Sequence, residues 1–202
     1  MPDKITIGVS ACLLGEKMRY DGGHKLCPYL TDVLGSWFRF VPICPEVGCG
    51  LSVPREAMHL EGNPAAPRLV TIESRIDLTE QMLAWCGQTV VELEAHHLNG
   101  FVFKKGSPSC GLFRVNVYTK GMSARAGRGL FAGAVADHFP LLPAEEEGRL
   151  EDPGFRENFL ERVFAYKRLQ DFQKEDGSLG GLVAFHTRHK LQVMAHHPVS
   201  YR

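Results

Sequence analysis

The sequence has no net charge, no long apolar run and no CxxC pair, and each absence excludes a class of protein. Its 202 residues hold 23 Lys and Arg against 23 Asp and Glu, so there is no basic surplus with which to coat a nucleic acid. No apolar stretch approaches the roughly 18 residues that a membrane span requires. The first residues pass directly into a strand-like pattern, without the apolar core of a secretory signal. We therefore expect a cytoplasmic protein with no membrane and no macromolecular nucleic acid as partner.

Six cysteines are spread over the first 110 residues: Cys12, Cys27, Cys44, Cys49, Cys86 and Cys110. In a reducing compartment they are not expected to form three disulfides. The absence of a CxxC pair excludes a zinc ribbon and a thioredoxin-type motif. The closest pair, Cys44 and Cys49, has a spacing that fits no common zinc module. A shared role therefore requires the cysteines to converge from distant parts of the chain.

Short β-branched runs alternate with amphipathic segments over the first 140 residues. Predicted strands cover 5–9, 38–43, 69–72, 100–103 and 114–118, and predicted helices cover 77–98 and 129–139. The Gly-rich stretch 121–129 carries two arginines and is interpreted as a flexible turn. This alternation favours an α/β fold, with a layered, largely parallel, Rossmann-like sheet and flanking helices.

The composition changes near residue 150. Residues 140–154 contain three prolines and three consecutive glutamates, which is typical of a linker, and helices are predicted over 155–169 and 182–197. Two such helices bury little by themselves, so they either lean on the first domain or begin an incomplete second one. We therefore divide the chain into an α/β domain over 1–145 and, over 146–202, a linker with the start of a helical accessory domain.

Three of the cysteines, Cys12, Cys44 and Cys110, each follow the end of a predicted strand. Open α/β sheets bind ligands in the crevice beyond the carboxyl ends of their strands. We therefore expect these three thiols to share one crevice. Taken singly, each of them is better explained as an ordinary buried cysteine; the three together favour a shared site.

Three separated motifs contain these cysteines. They are VSACLLG and RYDG (9–15 and 19–22), CPEV with GL and PR (44–47, 50–51 and 54–55), and SPSCG (107–111). Over roughly residues 4–140 the chain resembles the thiouracil desulfidase (TudS-like) family, and its C-terminal segment resembles the start of a helical domain often fused to it. The resemblance implies a 4Fe–4S cluster held by only Cys12, Cys44 and Cys110, with one iron free to bind the substrate sulfur.

Glu46 lies two residues after Cys44, so its carboxylate is expected near the cluster, where it can move a proton to or from water. The resemblance makes Glu46 the candidate acid and base; the alternative is a capping or surface carboxylate. Ser107 and Ser109 are further catalytic candidates. Their hydroxyls and amides can hold a base carbonyl or a developing oxyanion, or they can simply form a Ser-Pro turn.

Arg19, Asp21 and Arg55 are candidate substrate-binding residues. Arg19 and Asp21 bring a cation and a carboxylate close to Cys12, although Asp21 before a glycine also suits a tight turn. Arg55 can hold a substrate phosphate bidentately or pair with a carboxylate of the protein. The sequence leaves these alternatives open.

The resemblance implies a non-redox desulfidase. It would convert a thiolated pyrimidine (thiouracil, thiouridine or its monophosphate) to the uracil form and release sulfide, with Glu46 helping water to attack the thiocarbonyl carbon. The substrate would be this small molecule. No CxxxCxxC run is present, which speaks against radical chemistry with S-adenosylmethionine. The alternative is a zinc- or cluster-binding module with a structural or interaction role, using the same three cysteines and Cys49.

Overall fold

The computed structural model describes residues 4–119, 122–175 and 177–196, and these ranges contain eight strands and five α-helices. The strands are β1 (Thr6–Ser10), β2 (Arg39–Ile43), β3 (Met58–Asn63), β4 (Ala66–Thr71), β5 (Gly100–Phe103), β6 (Val115–Thr119), β7 (Met122–Gly127) and β8 (Ala144–Glu146). The helices are α1 (Pro45–Gly48), α2 (Thr79–Glu94), α3 (Leu130–His138), α4 (Pro153–Glu175) and α5 (Leu179–His196).

The strands form two four-stranded sheets. Sheet A has the order β2-β1-β5-β8 and is parallel throughout. Sheet B has the order β4-β3-β6-β7 and is mixed, with two antiparallel hairpins joined by a parallel pair. The predicted α/β fold with a parallel sheet and flanking helices is confirmed, while the second sheet was not predicted.

Sheet A lies between two helical layers. On one face, Ile7, Val9 and Val102 pack with Phe159 and Val163 of α4 in one buried cluster. On the other face, Phe101 and Phe103 pack in a second buried cluster with side chains of α2 and α3: Met82, Cys86, Val90, Phe131 and Val135. Because neighbouring residues of β5 point to opposite faces, one buried strand contributes to both clusters.

Two of the strands that sequence patterning misses are polar. Strand β7 lies within the stretch interpreted as a flexible turn, and that interpretation is wrong for residues 122–127. The strand pairs with β6 at the edge of sheet B and is exposed over most of its length. It therefore has no apolar alternation from which it could be predicted.

Strand β8 lies within the predicted linker, and the linker interpretation is wrong there. Ala144–Glu146 pairs with β5, although Glu145 and Glu146 are almost fully buried. The buried carboxylates are tolerated because each accepts hydrogen bonds: Glu145 Oε2 from Arg149 Nε at 2.7 Å, and Glu146 Oε1 from the amides of Leu112 and Phe113 at 2.9 and 3.0 Å.

The two C-terminal helices are present as predicted. Helix α4 shares a core with β1 and β5, and α5 packs on α4 through the stacked rings of Phe172 and Phe185, 5.6 Å apart. None of the helices in the described ranges is long and apolar enough to cross a membrane. The division into two domains after residue 145 stays a prediction.

Candidate active site

The three motif cysteines line one cavity at the carboxyl edge of sheet A, as the sequence predicts. Cys12 lies in the short 3-10 turn that follows β1, Cys44 lies between β2 and α1, and Cys110 lies in the loop after β5. Because β1 is parallel to both β2 and β5, all three strands end at the same edge. The cavity has a volume of about 330 Å³, and all three cysteines contribute to its wall.

Burial is the main influence on these thiols. It raises the pKa of Cys12 to about 11, with a further contribution from the Cys44 sulfur. Burial also raises the pKa of Cys44 and, more strongly, that of Cys110. Without a partner the thiols are therefore neutral at physiological pH, and a bound metal would have to displace their protons.

The donor set fits a multi-iron cluster better than a single zinc ion. In the described ranges, no three His, Cys, Asp or Glu side chains are grouped closely enough to hold one metal ion. Zinc needs its sulfur ligands converging at about 2.3 Å from one point, whereas cluster thiolates each bind a different iron. Three thiols spread around a cavity fit the cluster, in which each thiolate binds its own iron. Cys49, the other thiol considered as a ligand, lies outside the cavity lining.

Glu46 faces the same cavity from α1 and is held from both sides. Its Oε2 accepts a hydrogen bond from Arg55 Nε at 2.8 Å and a shorter one from Arg55 Nη2. Its Oε1 accepts a hydrogen bond from Ser109 Oγ at 2.6 Å. The carboxylate is only 13% exposed, so its orientation is set by these two partners.

Ser107 organises the loop that carries Cys110. Its hydroxyl accepts hydrogen bonds from the amides of Ser109 and Cys110 at 3.3 and 3.1 Å. The two serine hydroxyls are 3.0 Å apart, and since Ser109 gives its only hydroxyl proton to Glu46, Ser107 donates to Ser109. The result is a relay from Ser107 through Ser109 to Glu46.

The start of α3 fixes this loop from behind. The amides of Leu130 and Phe131 donate to the carbonyls of Pro108 and Ser109 at 3.2 and 3.0 Å. A Cβ at Gly129 would lie 2.6 Å from the Ser109 carbonyl, so this contact requires glycine. The first turn of α3 thereby places Cys110 and Ser109 together.

The predicted substrate-binding residues separate into different roles. Arg19 lines the cavity beside Tyr20, whereas Asp21 lies outside the lining. Asp21 accepts hydrogen bonds from the Gly23 amide at 3.0 Å and from Arg19, and the Gly23 amide is the main cause that lowers its pKa. Of the two roles that the sequence left open for Asp21, these contacts match the tight turn.

Arg55 pairs with a carboxylate of the protein, which is one of the two roles that the sequence left open for it. Besides its bonds to Glu46, it donates to the Met18 carbonyl through Nη2 at 2.9 Å and to the Ser52 carbonyl through Nη1 at 3.1 Å. Its side chain is 6% exposed. Most of its donors are therefore occupied within the protein.

Sequence reasoning missed Lys104, which lines the cavity next to the thiols. Its Nζ pairs with Glu147 Oε1 at 2.7 Å, and its amide donates to Ser10 Oγ at 2.9 Å. The Lys105 amide donates to the other oxygen of Glu147 at 2.6 Å. The sequence did contain a signal for this ion pair, namely two adjacent lysines after a strand and, further on, a run of three glutamates. Taken alone, either group is typical of solvated surface charges.

Breaking the Arg55 pair should destabilise the fold. We expect Arg55→Gln to lower the free energy of unfolding by about 3–5 kcal/mol, because it leaves Glu46 and two carbonyls without their partner in a nearly buried site. Arg19→Gln is the matched control: its pair with Asp21 is 3.3 Å long and more exposed, and it should cost less than about 1 kcal/mol. Urea unfolding measures both. Equal losses would show that the Arg55 pair adds nothing specific.

The fold and the cavity together define a class of protein: an α/β protein with three thiols, a fixed carboxylate and two serine hydroxyls around one cavity at the ends of parallel strands. Such a cavity can hold a metal cluster beside a proton-transferring group.

Comparison with known proteins is consistent with this class. The sequence model of the 2-thiouracil desulfurase family matches residues 7–147, and the chain belongs to that family. Among solved structures it is similar to a [4Fe-4S]-dependent thiouracil desulfidase, TudS, with 33% sequence identity and a TM-score of 0.60, over 73% of this chain and 94% of that one. A search of curated proteins gave no match.

Proposed function

We propose that this protein removes sulfur from thiolated pyrimidines by hydrolysis, replacing the thiocarbonyl sulfur with oxygen from water and releasing sulfide. The observation that carries the proposal is the single cavity that holds three motif cysteines and the fixed carboxylate of Glu46. Membership of the 2-thiouracil desulfurase family and the similarity to TudS support it.

The proposed cofactor is a 4Fe–4S cluster held by Cys12, Cys44 and Cys110. When bound, it would supply an iron without a protein thiolate, which can accept the substrate sulfur and act as a Lewis acid. The cofactor named for TudS is of this type. The thiol protons must leave as the cysteines bind iron.

Glu46 is the proposed base for the attacking water. A carboxylate has about four lone-pair sites; Arg55 occupies two on Oε2, and Ser109 occupies one on Oε1. One site on Oε1 therefore stays available for a water proton. Because Arg55 and Ser109 fix the carboxylate, the base is already oriented when substrate binds.

The remaining lining residues are proposed to bind the pyrimidine. Tyr20 provides a ring, and the Arg19 guanidinium lies 5.4 Å from its centroid. Arg19 and Lys104 offer cationic donors to the carbonyl oxygen of the base or to negative charge that develops on it. Ser107 and Ser109 are proposed to steady Glu46 rather than to bind substrate, since their hydroxyls form the relay.

Isotope-labelled water tests the hydrolytic step. The proposed reaction converts one thiocarbonyl and one water to one carbonyl and one hydrogen sulfide, with no change in oxidation state. Reconstituted protein turning over 2-thiouracil in ¹⁸O-water should therefore give uracil with one labelled oxygen and one sulfide per uracil, without an electron donor. Unlabelled uracil, or turnover that requires a reductant, would contradict the proposal.

A further inference from the structure

A second cavity lies at the opposite edge of sheet A, away from the thiols. It has a volume of about 300 Å³, and its wall includes six basic side chains: Lys4, Arg39, His96, His97, Lys167 and Lys174. One carboxylate, that of Asp171, is also present. We propose that this cavity is a binding site for a small anion that carries two or more phosphoryl groups.

The charges in this cavity are poorly compensated. Lys167 pairs with Asp171, but Lys4, Arg39 and Lys174 take part in no ion pair among the described residues. Arg39 donates a hydrogen bond through Nε to Thr6 Oγ1 at 3.3 Å, which leaves the guanidinium charge unneutralised. Lys4, Arg39 and Lys174 are exposed, so water and salt screen part of the repulsion between them, and a bound anion relieves the rest.

The end of α2 places two imidazoles on the cavity wall. The amide of His96 donates to the Leu93 carbonyl and that of His97 to the Glu94 carbonyl, both at 3.1 Å. His97 has φ +49°, at a position after a helix where glycine is usual. A histidine here adds a donor that glycine would lack, next to the unpaired cations.

The amide side chains of Asn99 and Gln170 in the cavity lining already have hydrogen-bond partners within the protein. Asn99 is 2% exposed; its Oδ1 accepts from the Thr6 amide at 2.8 Å, and its Nδ2 donates to Gln170 Oε1 at 2.6 Å. Gln170 in turn donates to the Leu98 carbonyl at 3.2 Å. An anion would therefore meet the cations at the rim and would bridge α4 to the edge of sheet A.

The spacing of the cations selects an extended anion. Lys167 and Lys174 are seven residues apart on α4, which corresponds to about 10 Å along a helix. Lys4 and Arg39 come from the segments that begin β1 and β2. A diphosphate is longer than a single phosphate and can therefore reach more of these groups at once, and the cavity volume is that of a small-molecule site.

Calorimetric titration of the full chain with inorganic pyrophosphate, at constant ionic strength, tests the proposal. We expect saturable binding and a rise in melting temperature. Arg39→Gln should weaken binding at least roughly tenfold, the loss of one charge-assisted contact, and adding Lys174→Gln should weaken it further. Arg188→Gln, which removes the same charge from an exposed position on α5, should bind like the wild type.

Four results would overturn the proposal. The first is no saturable binding of pyrophosphate, and the second is equal weakening by Arg39→Gln and Arg188→Gln. The third is binding of a short single-stranded oligonucleotide that depends on Arg39 while pyrophosphate binding does not, since the site would then bind a phosphodiester backbone. Circular dichroism spectra identical to wild type establish that each variant is folded. Inorganic phosphate should bind more weakly than pyrophosphate, and equal binding would contradict the extended-anion assignment.

Discussion

Glu46→Gln should keep the iron content and visible spectrum of the reconstituted protein while lowering 2-thiouracil turnover by at least roughly a hundredfold. Glutamine retains the size of the side chain and can still meet Ser109 and Arg55, but it cannot accept a proton from water. General acid–base assistance is typically worth about 10²–10⁴ in rate, or roughly 3–5 kcal/mol of barrier. Steady-state turnover under anaerobic conditions measures the loss.

Glu80→Gln provides the matched control, because Glu80 is an exposed carboxylate in the first turn of α2. It should turn over like the wild type. If Glu46→Gln holds a normal cluster and also turns over at the wild-type rate, Glu46 has a structural role only. The base would then have to be sought in a water network near Ser107.

Replacing a cluster cysteine should reduce the bound cofactor itself, which Glu46→Gln should leave intact. We expect Cys110→Ser to lose most of the bound iron and all measurable turnover, because a buried hydroxyl is a poor substitute for a thiolate ligand of iron. Cys12→Ser and Cys44→Ser should behave in the same way. Iron and acid-labile sulfide analysis after reconstitution measures the change.

Two other cysteines serve as controls for the same chemical change. Cys86 is a residue of α2 and is buried in the cluster that contains Phe101 and Phe103. Cys27 packs against the other buried cluster, which contains Leu13 and Leu30. Cys86→Ser and Cys27→Ser should retain the iron content of the wild type, even if Cys86→Ser lowers stability. Iron retained in Cys110→Ser, or lost equally in Cys27→Ser, would contradict the assignment of the three ligands.

The convergence of the cysteines could be predicted because it depends on simple rules of topology. Cys12, Cys44 and Cys110 each lie past the end of a strand, and parallel strands end at one edge of a sheet. The nearness of Glu46 followed from its position two residues after Cys44. The position of a residue relative to a strand end is a local feature of the sequence. The parallel sheet then brings these strand ends together in space.

The partners of Glu46 could not be predicted in the same way. The contact with Arg55 depends on how the chain returns after α1, and the contact with Ser109 spans 63 residues. Sequence reasoning therefore left Arg55 open between substrate and protein, and the structure pairs it with Glu46. Asp21 was equally open, and its carboxylate closes a turn instead of facing the cavity.

The acidic run over residues 145–147 misled composition-based reasoning. Three consecutive glutamates are typical of solvated linkers, but here the carboxylates of Glu145, Glu146 and Glu147 each have a specific partner. Two of those partners lie in the loop segments on either side of Cys110. A polar strand of this kind is stabilised by long-range contacts, which no local pattern reveals.

Anaerobic reconstitution with iron and sulfide, followed by metal analysis and a visible spectrum, tests the central claim most directly. We expect about four iron and four sulfide per chain, and a brown protein with a broad absorption band in the blue region of the visible spectrum. Sulfide should be released when 2-thiouracil is added. A colourless protein that takes up zinc in place of a cluster and leaves 2-thiouracil unchanged would contradict the claim.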